Sequence, residues 1–372
     1  MQIRVSCEEL KNIAGKILSV IDRKSTRPIL TYALLTAKDG KVQLEVTDLE
    51  ISTRLLIRAQ TTEEGSCCIN AKNFYDILKE LPNKDIDLIV DPNRNELLVN
   101  CENIHYSLLV TKKDDFPTLL FDSDGDKFSI NTDDMLNIIS KTSHAISNDD
   151  TRMFLNGIFL QQLDSKLRAV ATDGFRLSLV DLELDESRSI VPLVDGVIIP
   201  KKGVYELKKM CESLPGETIN LSLNSSFLYI SGLEQYFLSI RLISRDYPQY
   251  QTVIPTKTSY KFSVERNVFL ESIRRISIMS NEKTNGIKIK IGEDKMNITA
   301  NHQSLGHAVE DLDINYRDKD INVGFNAKYL LETIQTFPDG DIDIELNNEL
   351  SPIVIKSPNA NNYLSIVMPL RL

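Results

Sequence analysis

Hydrophobic and polar positions alternate in short runs along most of this chain, and the period changes at six places. Val42, Leu44 and Val46 alternate with Gln43, Glu45 and Thr47, and Gln2–Val5 alternates in the same way; this is the pattern of strands with one buried face. At Ser6 the period becomes helical. Leu10, Ile13, Ile17, Leu18 and Ile21 recur at helix spacing, with Ser6 as N-cap and Glu9 three residues on completing a capping box. Further helix starts are predicted at Asn70-Ala71, Asn131-Thr132, Pro200-Lys201, Glu265-Arg266 and Asn326-Ala327, with Pro200 suited to a first helical turn. Leu81-Pro82, Leu214-Pro215-Gly216 and Phe337-Pro338-Asp339-Gly340 close three of these helices. Strands are predicted over 86–90, 96–101, 105–110, 218–223, 227–231, 236–242, 341–346 and 351–356.

The order of elements repeats. In the last strand Tyr363, Ser365 and Val367 face one way and Leu364, Ile366 and Met368 the other. Tyr106–Val110 and Phe237–Leu242 have the same build, and each runs on to an aromatic-proline step, Phe116-Pro117 or Tyr247-Pro248. From each second-helix start to the following closing strand the gap is 37, 38 and 38 residues, and first-helix starts lie 125 and 134 residues apart. The chain therefore reads as three tandem α+β units, each with two helices packed on antiparallel sheet. Their boundaries are expected to be 1–122, 123–252 and 253–372, with joints at 118–127 and 251–259.

Bulk composition narrows the class of protein. At 372 residues, 42% hydrophobic and 26% charged, the chain has the composition of a globular protein. It shows neither a long apolar run nor a secretory leader, and a cytoplasmic location is expected. Cys7, Cys67, Cys68, Cys101 and Cys211 form no C-x-x-C, so reduced and buried thiols are expected. The net charge of −10 argues against a nucleic-acid partner until it is resolved by element. The six predicted helices carry fifteen Lys and Arg against twelve Asp and Glu, leaving the rest of the chain at −13. Two readings stay open: helical cations as an ordinary solvated face, or one basic face that meets phosphates without reading bases.

Catalytic motifs are missing. There is no phosphate-binding G-x-x-x-x-G-K-[ST], no G-x-G-x-x-G and no H-E-x-x-H. Asp48 and Asp173 follow Thr47 and Thr172 at matching places, where they read either as turn formers or as ligands of a metal-dependent phosphodiesterase. The third unit has Ala300-Asn301 there, which favours turns. A repeat scaffold unrelated to DNA is the remaining alternative.

Several spaced motifs together resemble one family. Arg27-Pro28-Ile29-Leu30, Thr47-Asp48-Leu49-Glu50, Arg152–Gly157, Thr172–Leu177, Gly324–Tyr329 and Met368–Leu372 look like the beta subunit of bacterial DNA polymerase III, the sliding clamp, over the full length. The resemblance implies the DNA clamp fold and a non-catalytic function: a head-to-tail homodimeric ring of six similar domains around duplex DNA. Helices would line its hole, and the ring would tether the polymerase for processive replication. No cofactor or metal is implied. Partners would be duplex DNA without sequence specificity, a second copy, the polymerase III catalytic subunit, the clamp loader and other proteins carrying a clamp-binding motif.

By the same resemblance Lys24, Lys72, Lys79, Lys201 and Lys202 match pore-side basic positions, and Met153 and Phe154 stand where an aromatic pair would touch DNA. Leu155, Thr172, Gly174, Phe175, Arg176, Leu177, Pro248, Val253, Asn326, Tyr329, Leu350, Val367, Met368, Pro369, Leu370 and Arg371 would form a partner-peptide groove. Phe175, Thr252 and Thr284 depart from the family pattern at its edges. Tyr106 and Leu108 on strand 105–110 would meet Ile278 and Met279 on a segment Arg274–Met279 of the second copy.

Overall fold

In the computed structural model, residues 1–22, 26–91, 93–122, 126–184 and 191–371 are described. Among them are seven α-helices: α1 (Cys7–Ile17), α2 (Ala71–Glu80), α3 (Thr132–Thr142), α4 (Val191–Asp195), α5 (Lys201–Glu212), α6 (Arg266–Ser277) and α7 (Ala327–Ile334). Six are those expected from the periodicity. The five-residue α4 is additional; at little more than one turn it is too short for a 3.6-residue period to register.

The caps explain where the helices begin. Ser6 accepts from Glu9 N at 3.4 Å, Asn70 from Asn73 N at 3.0 Å, and Asn326 from Tyr329 N at 3.3 Å. Asn131 accepts from Asp133 N at 2.8 Å, and the Glu265 carboxylate receives both Asn267 N and Val268 N. Each such bond satisfies an amide that has no partner inside the helix. Pro200 sits one step earlier than expected, ending strand Val197–Pro200 opposite Gly157, so α5 starts at Lys201.

The chain divides into two compact units, and its sheets do not stop at the expected domain boundaries. Unit 1 comprises Met1–Met135 and Tyr205–Leu242; unit 2 comprises Leu136–Val204 and Ile243–Leu372. All of unit 1's strands form one sheet of thirteen. In it Tyr236–Arg241 from the second repeat pairs antiparallel with Ile51–Arg58 from the first, Ile240 opposite Ile51 and Tyr236 opposite Leu55. Unit 2 has an eight-stranded and a four-stranded sheet. In the larger one the C-terminal strand Tyr363–Val367 lies between Arg176–Glu183 of the second repeat and Ile353–Lys356 of the third, with Val367 opposite Arg176 on one side and Ile353 on the other.

Among the described residues each sheet ends on strands with one free side, and two strands with a free side hold matching places in their repeats. Ile104–Thr111 pairs along its length with Glu96–Cys101, but its other side meets Gly65–Asn70 only at Val110 and Thr111. Gly306–Asp313 ends the four-stranded sheet and pairs only with Lys295–His302. The expectation that Arg274–Met279 offers an interface strand is corrected here: Arg274–Ser277 is the last turn of α6 and Ile278 its C-cap. The alternating Ile276 and Ile278 fit a strand locally, but the Glu265 cap upstream fixes the helical phase.

Every cysteine is buried and free, and burial pushes the Cys67 and Cys68 thiols up to about 12 and about 11. Strand packing is tight at Gly157, where a Cβ would lie 2.2 Å from the Ile199 carbonyl oxygen and 2.9 Å from Ile198 Cγ2. Gly157→Ala should therefore destabilise the fold by about 2–3 kcal/mol through forced strand separation. Gly216→Ala, at φ +71 in open space, should cost only about 1 kcal/mol. Urea denaturation midpoints of the two variants test the difference.

Candidate functional site

A tight turn in unit 2 organises the site. Thr172 Oγ1 donates to Arg176 O at 2.6 Å and accepts from Gly174 N at 3.1 Å. Asp173 Oδ1 accepts from Phe175 N at 2.9 Å and Arg176 N at 3.0 Å, and Asp173 Oδ2 accepts from Arg176 Nε at 3.1 Å. Glycine suits position 174: its φ is +90, and a Cβ there would fall 2.9 Å from Arg152 Nη1. Thr47 and Asp48 build the same turn in unit 1, with Asp48 Oδ1 accepting from Glu50 N and Ile51 N. Both aspartates thus cap turns, and among the described residues no group of three or more His, Cys, Asp and Glu is arranged to hold a metal ion.

The turn aims Arg176 inward. Its guanidinium is 7% exposed, lies 4.6 Å from the Tyr329 ring centroid and pairs with Asp173 and, at 2.6 Å, with Glu332. A buried cation is tolerable when it is paired in this way. Phe175 turns outward, 54% exposed, and stacks on Tyr329 with centroids 6.0 Å apart. Phe175 O accepts from Met368 N at 2.8 Å and Gly324 O from Leu370 N at 2.7 Å, fixing the C-terminal tail along the rim.

Beside this turn lies a cleft of about 310 Å³ lined by Leu155, Thr172, Gly174, Arg176, Leu177, Pro248, Gln249, Tyr250, Thr252, Val253, Ile366 and Met368. Phe159 and Tyr247, stacked at 4.6 Å, back it. Eight of the expected groove residues line it: Leu155, Thr172, Gly174, Arg176, Leu177, Pro248, Val253 and Met368. The others sit elsewhere. Val367 is fully buried on the opposite face of its strand, Asn326 caps α7, and Phe175 and Tyr329 form the rim stack. Pro369 and Leu370 are half-buried, and Arg371 is exposed on the tail. Leu350 is exposed beside a separate surface depression with Tyr260 and Lys319. Thr252, expected at the groove's edge, lines it as well, and Gln249, Tyr250 and Ile366 are the additions. Strand alternation, which puts Ile366 on the Met368 face, was the signal for Ile366.

Under the cleft runs a buried polar chain. Ser178 Oγ lies 3.1 Å from His144 Nε2 and 2.8 Å from Ser365 Oγ. Ser365 Oγ donates to the Tyr363 hydroxyl at 2.9 Å, and that hydroxyl donates to Lys141 O at 3.1 Å. Thr336 Oγ1 is 2.5 Å from the same tyrosine oxygen. Burial, with Arg176 nearby, lowers the His144 pKa from 6.5 to about 3.

The expected basic positions are spread over both units. Lys72 and Lys79 are exposed on α2, Lys72 paired with Asp76. Lys201, exposed at the start of α5, donates to Asn148; Lys202 beside it is half-buried. Phe154 is half-buried against the core behind the cleft, whereas Met153 is 57% exposed. Lys24 lies outside the described residues. Of the expected interface residues, Tyr106 is 38% and Ile278 73% exposed, while Leu108 and Met279 are half-buried. Leu109, which sequence reasoning passed over, is 78% exposed on the open strand. No described helix is long and apolar enough to cross a membrane.

Three repeats that exchange strands, with an apolar cleft where the second meets the third, define a three-domain clamp architecture. Comparison with known proteins gives the family. Models of the N-terminal, central and C-terminal domains of the DNA polymerase III beta subunit match residues 1–120, 129–249 and 251–371. A beta sliding clamp of Caulobacter vibrioides is 28% identical over 377 residues, covering all of both chains. The crystal structure of a sliding clamp from Bartonella birtlesii bound to griselimycin superposes with a TM-score of 0.95 at 30% identity, again over the whole of both chains. That of the polymerase III beta subunit from Pseudomonas aeruginosa gives 0.92 at 27% identity, with the same coverage. The chain belongs to the DNA polymerase III beta subunit family, the sliding clamps. With membership goes the family's role in DNA replication.

His144 yields a test of the buried chain. The folded protein keeps the imidazole neutral until about pH 3, whereas the unfolded chain takes up a proton as pH falls through 6.5. The unfolded state therefore binds more protons between these values. The stability contribution is complete above the upper one and is lost on acidification at about 1.4 kcal/mol per pH unit. Between pH 7.5 and pH 5 the wild type should lose about 2 kcal/mol more than His144→Gln, measured by urea unfolding at each pH.

Proposed function

We propose that this chain forms a head-to-tail homodimeric ring around duplex DNA and works without catalysis or cofactor in the cytoplasm, holding replication proteins to the duplex by topology. Its three domains would span 1–122, 123–252 and 253–372. The observation that carries the reading is the pattern of strand exchange. The strand closing the second repeat (Tyr236–Arg241) covers the edge of Ile51–Arg58 in the first, and the strand closing the third (Tyr363–Val367) covers Arg176–Glu183 in the second. By the same rule the strand closing the first repeat, Ile104–Thr111, would cover Gly306–Asp313 in the third. Both keep an open edge in the isolated chain.

On this rule each copy has one edge to give and one to receive. An exposed pair of this kind invites pairing with another chain, and a heterologous contact that closes makes a ring. The apolar residues Tyr106, Leu108 and Leu109 belong to the first edge, and Val309, with Ile278 and Met279 of the α6 end, is assigned to the second. Within the ring Lys24, Lys72, Lys79, Lys201 and Lys202, with Met153 and Phe154, would face the DNA backbone, and the cleft would take short peptides of the polymerase, the clamp loader and other partners.

The experiment loads the protein on nicked circular and on linear duplex and measures retention after a salt wash. Wild type should stay on circles and run off linear DNA. Leu109→Asp and Ile278→Asp should each sediment as a monomer and lose retention on circles. Equal retention on both DNAs, or a wild-type monomer at micromolar concentration, would overturn the ring.

A further inference from the structure

The buried polar chain beneath the cleft has a direction. Ser365 donates to Tyr363, whose own proton goes on to Lys141 O or to Thr336, a hydroxyl that itself donates to Thr333 O; with its one proton spent, Ser365 must accept from Ser178. Ser178 then has no proton left for His144, and the 3.1 Å contact requires His144 Nε2 to be the donor. This leaves Nδ1 as a bare acceptor, and Nδ1 is indeed buried without a hydrogen-bond partner. Ser178, Ser365 and Tyr363 are each at most 2% exposed, so no water competes for these bonds at the surface.

The chain crosses the sheet at one place. Ser178 and Ser365 stand opposite each other in the antiparallel pair, one step from Leu177 and Ile366, which are also opposite each other and line the cleft. Sheet register alone sets which residues are opposite; the hydroxyl bond sets how closely the two strands and their side chains are held. The far end ties the C-terminal strand to the end of α3 through Lys141 O and, through Thr336, to the segment just after α7.

We infer that His144, Ser178, Ser365 and Tyr363 are positioning residues for peptide recognition: their one-way hydrogen-bond relay holds the C-terminal strand so that Ile366 and Met368 meet Leu177 at the spacing a bound peptide needs. This inference rests on the cleft being the peptide site. None of the four touches the ligand, and the relay acts through the cleft wall.

The test uses full-length protein and griselimycin, the ligand of the Bartonella birtlesii relative, as the probe in surface plasmon resonance, alongside hydrogen exchange of the Met368 amide. Ser178→Ala and Ser365→Ala should each weaken probe binding about three- to tenfold, mainly by faster release, and speed exchange at Met368. The double variant should be no weaker than either single one, because a relay broken once is already broken. His144→Gln, whose amide can still donate, should keep near wild-type affinity where His144→Leu does not. Serine variants that unfold more easily yet bind and exchange like wild type would reduce the relay to a structural role, as would additive losses in the double variant. Leu155→Ala and Met368→Ala separate the two levels: if the probe fails to bind wild type, or binds regardless of these two substitutions, the cleft itself is not the peptide site and the inference falls with it.

Discussion

The constraint on which this fold turns is that a strand edge must be filled. A strand with one free side presents a row of amide donors and carbonyl acceptors, and burying or exposing it next to apolar side chains without partners is costly. Each repeat here builds a sheet whose returning strand lacks a neighbour, and the closing strand of the next repeat supplies it. Two of these joints lie within the chain. They explain why the compact units cut across the repeats: a sheet continuous from Ile51–Arg58 into Tyr236–Arg241 holds residues from two repeats more firmly than the chain link between them does. The repeat is a unit of sequence, and the shared sheet is the unit of stability.

The duplicated Thr-Asp turn shows how one local solution serves different ends. In both units threonine and aspartate side chains close the same hydrogen bonds. In the first the left-handed position is Leu49, at φ +76, which a branched side chain adopts only under strain. In the second it is Gly174, and the missing side chain leaves room for Arg152 behind the turn and for the cleft in front. The next two residues then divide the work: Arg176 is buried and paired, while Phe175 is exposed on the rim. Differences at three successive positions, Leu49, Glu50 and Ile51 against Gly174, Phe175 and Arg176, separate a plain sheet corner from the wall of a site.

Much of this was legible in the sequence because it is local. Ser6, Asn70 and Asn326 are cap residues whose side chains act within three positions, so helix starts could be placed closely. Strand alternation and repeat spacing are likewise local counts. What the pattern does not encode is which strand pairs with which. Tyr363–Val367 reads as the strand closing a unit, with nothing to say what it pairs with, and it is central, between partners nearly two hundred positions away on one side and about ten on the other. The same limit applies to Arg274–Met279, which the resemblance set against strand 105–110 of a second copy and which is the end of α6. Eight groove residues came through a resemblance, and Ile366 was missed although its alternation with Val367 was already in view. Which face of a strand is the useful one depends on what packs against it, and that is a non-local fact.

The charge distribution suits the proposed topological hold on DNA. The helices carry a modest excess of cations in a chain of net charge −10; of the lysines proposed to face DNA, Lys72 is engaged by Asp76 on its own helix, and outside that set Lys208, Lys209 and Lys328 pair with Glu212, Glu206 and Glu332. A protein that relied on phosphate contacts for affinity would keep such lysines unpaired, because each phosphate neutralised adds a counterion-release increment and deepens the salt dependence. Paired lysines leave a weak, diffuse field that favours no position along the duplex. For the proposed ring that weakness would be an advantage: escape would be prevented by strand-to-strand joints between copies, and residual attraction would need only to centre the duplex without arresting it.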